Sequence, residues 1–114
     1  MSRDGIERAA RTLADGLKFS QGALARNKLG KPTCFSRGKS FDILGAILTQ
    51  GYAGEKGIRN DGIEDRAIIA ALVAVQLASV RLYKMSAEAV NDTLGHEAVM
   101  KVMRLAWKIS DPAR

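Results

Sequence analysis

The chain has 114 residues, of which 26% are charged and 46% are hydrophobic, and its net charge is +6. This balance is typical of a globular protein and the length allows one domain, so a disordered tail and a collagen-like chain are excluded. A single Cys and a single His cannot form an intrachain disulfide or a four-ligand zinc site. We therefore expect one domain over residues 1–114 that requires no cofactor.

Neither a targeting signal nor a membrane span is predicted. The first eight residues mix both charge signs and contain no apolar core. The longest apolar stretch covers residues 67–75, whereas a membrane span needs about 20 mostly apolar residues. The sequence therefore predicts a cytoplasmic protein that does not cross a membrane.

Two helices and a basic loop are predicted at the start of the chain. Ser2 or Asp4 can cap the first helix, and Gly16 would end it. Residues 20–26 predict a second, short helix. Glycine and proline then mark residues 27–38 as a loop.

The third predicted helix begins after Ser40, which can cap it. Gly45 lies in its middle, where glycine costs about 1 kcal/mol relative to alanine. We expect a compensating close contact with a neighbouring helix at this point. The glycine-rich segment 51–62 that follows is expected to be adaptable on binding.

The longest predicted helix covers about residues 63–83 and is apolar on all sides in its middle, as expected of a central helix. A short turn at residues 87–90 and a last helix follow, and Asp92 or Thr93 can cap the last helix. No alternating strand pattern is present. The sequence therefore predicts an all-α domain of four to five helices packed around the 63–83 helix.

The basic side chains are concentrated in the first third of the chain. Residues 1–39 hold nine bases and three acids, a net charge of +6, whereas residues 40–114 hold nine of each sign. Between Asp15 and Asp42 there is no acid, but there are six bases: Lys18, Arg26, Lys28, Lys31, Arg37 and Lys39. Such a positive field attracts phosphates or an acidic protein surface, although a solvated basic loop gives the same pattern.

Three other residues could carry chemistry. Asp92 could orient His96 as a general base, but the same segment is also typical of a helix start. Cys34 lies in the basic loop without a neighbouring His and is expected to be a free thiol. Trp107 is either a half-buried core residue or an interface anchor.

Several short blocks resemble an uncharacterised family of small bacterial and phage proteins. The family shows an aromatic-x-Gln-Gly-x-x-Ala-Arg block, a Gly-Ala block and an Asn-Asp-x-x-Gly block, which correspond here to residues 19–26, 45–46 and 91–95. This chain has Phe19 where Trp is expected, Ile43 where Cys is common and His96 where Arg is usual. The resemblance implies a helical fold and no known activity, and its phage members favour an accessory or anti-defence role.

These observations lead to one main functional prediction. We expect a non-enzymatic helical module that docks through the six bases onto an acidic protein surface or a nucleoprotein complex, with the 51–62 segment as an adaptable rim. Direct nucleic-acid binding through the same bases is the first alternative. A small enzyme that uses Asp92 and His96 is the second. The sequence predicts no particular oligomeric state.

Overall fold

The computed structural model describes residues 2–33, 38–49 and 65–110. Within these ranges the chain forms five α-helices and two short strands, in the order α1 (Ser2–Ala14), β1 (Ala25–Arg26), β2 (Ser40–Phe41), α2 (Ile43–Leu48), α3 (Asp65–Tyr83), α4 (Ala87–Thr93) and α5 (His96–Ile109). The predicted contact residue Arg37 and Cys34, which is expected to be a free thiol, lie outside the described residues. So does the glycine-rich segment 51–62.

The core is helical and lies around α3, which packs against α1, α2, α4 and α5. The largest fully buried side chains come from every helix: Ile6, Leu13, Ile43, Ile47, Val75, Val90, Val99, Val102 and Met103. Burying side chains of this size is the main source of stability in a small domain. The predicted all-α architecture with a central apolar helix is confirmed.

One face of α3 lies outside this core. Ala71, Val75 and Ala78 are fully buried, but the opposite side of the helix is apolar and exposed. The expectation that neighbours cover this helix on all sides is therefore wrong. Composition gives the polarity of each face, but it does not show how many faces have a neighbour.

The helix predicted at residues 20–26 is also wrong. A single 3-10 turn at Gly16–Lys18 is followed by bends and then by β1, which pairs antiparallel with β2. Gly22 has a φ of 78°, which a right-handed helix does not allow. The backbone hydrogen bonds are instead long-range: the Ser20 N–H donates to the Phe41 carbonyl (2.9 Å).

Two predicted helix caps lie elsewhere in the structure. Ser40 belongs to β2, and Asp42 caps α2 by accepting a hydrogen bond from the Gly45 N–H at 2.6 Å. Asp92 and Thr93 are the last residues of α4 and not the cap of α5, which begins after Gly95. Asp42 thus caps α2 in place of Ser40, whereas Gly95 at the start of α5 forms no side-chain cap hydrogen bond. In both cases the preceding element extends further than the pattern indicates.

The close contact predicted at Gly45 is present, although its partner is not a helix. A Cβ atom built on Gly45 would lie 1.8 Å from the carbonyl oxygen of Leu24. Leu24 precedes β1, and its carbonyl accepts a hydrogen bond from the Asp42 N–H (3.2 Å). Glycine at position 45 therefore lets α2 lie directly on the backbone of the segment that leads into β1.

We predict that Gly45→Ala destabilises the fold by about 1–3 kcal/mol. Neither α2 nor the Leu24 backbone can move away from the added methyl group without loss of hydrogen bonds. Urea unfolding followed by circular dichroism measures the change. Gly16→Ala is the matched control, since an added Cβ there meets no atom within 4 Å. Equal effects of the two substitutions would contradict the packing argument.

Candidate docking surface

The buried side-chain amide of Asn91 joins three parts of the chain. Its Oδ1 accepts a hydrogen bond from the Ile43 N–H at the start of α2 (2.9 Å). Its Nδ2 donates to the Ser20 carbonyl (3.0 Å) and to Asp92 Oδ1 (3.1 Å). Asn91 is fully buried and its bond to Ile43 is shielded from water, while its bond to Ser20 holds the segment after α1 onto α4.

Gln21 and Gly22 strengthen the same junction. The Gln21 side-chain amide donates to the Asn91 carbonyl (2.8 Å), and the Gly22 N–H donates to Asp92 Oδ1 (2.9 Å). Gly45 reaches the same segment through Leu24. The three sequence blocks that carry the family resemblance thus meet at one place, where the side chains of Gln21, Asn91 and Asp92 have hydrogen-bond partners within the fold.

Asp42 is a buried carboxyl group beside this junction. Burial raises the pKa of Asp42 to about 6; the hydrogen bond from the Gly45 N–H opposes the shift, and repulsion from Asp92 and Glu88 adds to it. Sequence reasoning used Asp42 only to mark the end of the acid-free segment. No local pattern shows that this acid is buried.

A hairpin turn follows β1 and is fixed by one side chain. Asn27 Oδ1 accepts hydrogen bonds from the N–H groups of Leu29 (2.9 Å) and Lys31 (3.1 Å). The Asn27 N–H donates to the Lys31 carbonyl (2.8 Å), and the Gly30 N–H donates to the Asn27 carbonyl (2.9 Å). Asn27 therefore presents the residues of the turn in one defined conformation.

The side chain of Arg26 supports the hairpin turn through hydrogen bonds. Its guanidinium donates to the Gly30 carbonyl (2.8 Å) and, through two nitrogen atoms, to the Gln21 carbonyl (2.9 and 3.1 Å). Of the five predicted contact residues that the structure describes, Arg26 is thus the one whose side-chain donors are used for structure. It still contributes its positive charge to the surface.

The strand register determines which residues lie together beside the hairpin turn. Arg26 of β1 is opposite Ser40 of β2, and Phe19 bridges Phe41 in parallel. The residues that precede Phe19 and Ser40 therefore lie at the same end of this small sheet as the residues that follow Arg26. The hydrogen bond from the Lys39 N–H to the Arg26 carbonyl (2.8 Å) fixes this arrangement.

Four lysines lie at this end of the sheet, and we call them the lysine end: Lys18, Lys28, Lys31 and Lys39. All four are exposed. In the parts of the chain that the structure describes, no ion pair joins any of them to an acid. The structure thus places four of the six predicted contact residues at one end of the sheet; the Arg26 side chain is bonded to Gln21 and Gly30, and Arg37 is outside the described ranges.

Two leucines accompany the lysine end, and sequence reasoning did not single them out. Leu17 is 89% exposed and precedes Lys18, and Leu29 is 76% exposed and follows Lys28. They are the two most exposed large hydrophobic residues among those that the structure describes. The signal in the sequence was available: each is an isolated apolar residue beside lysine in a turn.

Asp92 and His96 have separate partners. Asp92 Oδ1 accepts hydrogen bonds from the Gly22 N–H and from Asn91 Nδ2. His96 Nε2 contacts the Leu13 carbonyl, and its ring lies 5.1 Å from that of Phe19. No hydrogen bond joins Asp92 to His96 in the described ranges, so the structure does not bring the proposed catalytic pair together.

Two features are absent from the described residues. No group of three or more His, Cys, Asp or Glu side chains has the proximity that a metal ion requires. No single helix is long and apolar enough to cross a membrane. The pair formed by residues 68–83 and 87–93 has the necessary length and composition, but it bends by 59° at its break.

Comparison of the chain with protein-family models, with curated proteins and with solved structures gives no match. The resemblance to the small bacterial and phage family stays a prediction. Functional inference therefore depends on the geometry of the lysine end itself.

The buried carboxyl of Asp42 leads to a pH prediction. Because its pKa in the fold, about 6, lies above the ordinary value of 3.8, the folded chain binds this proton more tightly than the unfolded chain does. Its stabilising contribution is complete below the ordinary value and is lost as the pH rises through about 6. Asp42→Asn retains an oxygen that can cap α2 and carries no charge.

We therefore expect Asp42→Asn to be more stable than the unmodified protein at neutral pH, with a difference that shrinks toward about pH 4. Urea unfolding across this range measures it. Asp15→Asn, which removes one charge from an exposed turn, is the control. A constant difference across the pH range would contradict the assignment.

Proposed function

We propose that the protein is a non-enzymatic binding module that docks on an acidic macromolecule through the lysine end. The observation that carries the proposal is the gathering of four exposed lysines, none paired with a described acid, beside a hairpin turn that Asn27 and Arg26 hold in shape. A surface whose geometry is fixed before contact loses less conformational entropy on binding. Arg37 belongs to the proposed contact on sequence grounds alone.

Electrostatics supports an acidic partner. No acid occurs between Asp15 and Asp42, so the field of the lysine end is not neutralised locally in the sequence. Such a field raises the association rate with a negative surface, and its range in physiological salt is about 8 Å. The affinity should therefore fall as the salt concentration rises.

Among acidic partners, a protein surface fits better than nucleic acid. Leu17 and Leu29 are apolar groups that a phosphate backbone cannot use, whereas a protein can offer acids around an apolar pocket. Single-stranded nucleic acid is usually bound by stacking bases on exposed aromatic rings. Of the aromatic residues beside the lysine end that the structure describes, Phe41 is buried and Phe19 is half-buried against the core.

Nucleic-acid binding stays the alternative, because four clustered lysines also suit phosphates. The cytoplasmic location and the phage-derived, anti-defence role are parts of the proposal that rest on the sequence and on the family resemblance. In such a role the module would inhibit a host complex by occupying its acidic surface.

The first test reverses the charge of the lysine end. The triple substitution of Lys28, Lys31 and Lys39 by Glu changes the net charge from +6 by −6 to 0. Because these side chains are exposed, we expect stability to change by less than about 0.5 kcal/mol per substitution and partner binding to fall at least tenfold. Capture from a bacterial lysate, with and without nuclease, measures binding.

The matched control replaces Lys101, Arg104 and Lys108 of α5 by Glu, which gives the same net charge. The control should retain binding. If both triple variants lose binding alike, total charge alone matters and the lysine end is not the contact. Loss in the control only would move the contact to α5.

The second test concerns the leucines. We expect Leu17→Ser together with Leu29→Ser to weaken binding of a protein partner about tenfold or more, because two apolar groups no longer leave water. Binding should resist nuclease treatment. Unchanged binding in the double variant, with loss after nuclease treatment, would instead favour nucleic acid.

A further inference from the structure

Three cations form a row along the outer face of α5. Lys101, Arg104 and Lys108 are three and four residues apart, so they lie on one side of the helix over a length of about 10 Å. All three are exposed, whereas the opposite side of α5 is buried in the core. We call these three residues the α5 row.

The α5 row keeps most of its charge available. Within residues 2–33, 38–49 and 65–110, no ion pair joins Arg104 or Lys108 to an acid. Glu97 is the only acid in α5, and its carboxylate oxygen lies 4.0 Å from Lys101 Nζ. These two side chains are 88% and 53% exposed, respectively, and an exposed pair of this kind contributes little. An external anion therefore meets a positive surface.

An aromatic ring lies beside the α5 row. Trp107 is 38% exposed and follows Arg104 by three residues, which makes the two side chains neighbours on the helix surface. Successive residues advance by about 100° around a helix, so Trp107 lies to one side of the row. Among the large hydrophobic side chains that are exposed in the described ranges, Trp107 is the only aromatic one.

A line of cations with an aromatic ring on one side matches the two chemical groups of a single nucleic acid strand. The phosphates of the strand meet the cations, and a base stacks on the ring. The lysine end has leucines beside its charges, which give a base no stacking surface. The indole ring therefore favours a strand that carries bases, and an acidic chain without bases is the alternative.

We propose that the outer face of α5 binds single-stranded nucleic acid, with phosphates on the α5 row and a base stacked on Trp107. Val102 and Ala106, on the inner side of α5, are fully buried, so the core holds this surface in place before contact. The proposal concerns a second surface and does not depend on docking through the lysine end.

The experiment uses the purified full chain and an oligothymidylate. Fluorescence anisotropy of the labelled oligonucleotide measures the affinity at several salt concentrations. Trp107 is the only Trp in the chain, so intrinsic fluorescence reports on this position alone. We expect the unlabelled oligonucleotide to quench this fluorescence as it binds. Polyglutamate, which carries the charge without the bases, should leave the fluorescence unchanged and bind about tenfold or more weakly.

The first variant replaces Lys101, Arg104 and Lys108 by Gln. The affinity for the oligonucleotide should fall about tenfold or more, and the slope of log K against log salt should decrease in magnitude by about 2, since each phosphate contact contributes about 0.7. The matched control replaces three exposed lysines of the lysine end by Gln and should keep the slope: Lys28, Lys31 and Lys39. Circular dichroism checks that both variants are folded.

The second variant tests the ring. Trp107→Leu should weaken binding about tenfold, whereas Trp107→Phe keeps an aromatic face and should bind more tightly than the leucine variant. If the leucine variant does not fold, quenching of the unmodified protein still tests the contact.

Four results would overturn the proposal. The first is no binding of the oligonucleotide at low salt. The second is binding that leaves the fluorescence of Trp107 unchanged. The third is an equal loss of salt slope in both triple variants, or a loss in the control alone, because the phosphates would then lie elsewhere. The fourth is equal affinity for polyglutamate, because charge alone would then account for binding.

Discussion

The buried amide of Asn91 is the interaction on which the arrangement of the first third of the chain depends. A side-chain amide both accepts and donates, and here it satisfies the first N–H of α2 and a carbonyl of the segment after α1. An apolar side chain of similar size could fill the space, but it would leave these backbone groups buried without partners. Each such group costs about 1–3 kcal/mol. The polar residue is therefore required by the path of the backbone.

Arginine and lysine have different roles in and beside the lysine end. Arg26 uses its planar, multi-donor group to hold two carbonyls, Gln21 and Gly30, and so supports the hairpin turn. The exposed lysines have a single terminal charge each on a flexible stem and keep their donors available. In this basic segment the arginine supports the hairpin turn, and the four lysines stay exposed. Counting charges in the sequence does not separate these two roles.

The helical parts of the fold could be predicted from the sequence because their signals are local. The period of α5, the apolar length of α3 and the unusual glycine at position 45 each show in a short window. The path of residues 20–26 could not, because its hydrogen bonds go to residues far along the chain. For the site, the sequence located the basic residues, but their position at one end of the sheet depends on strand register. The roles of Arg26 and Asp42 depend on neighbours that no local pattern specifies.

The span of the Asn91 contacts also sets an order of events during synthesis. Asn91 is 71 residues from Ser20 and 48 from Ile43. The Ser20 carbonyl and the Ile43 N–H therefore lack their Asn91 partner until the ribosome has made α4. Until then α1 can form locally, whereas the segment after α1 lacks the hydrogen bonds that hold it onto α4. The segment after α1 therefore reaches its final position only after most of the chain has been synthesised.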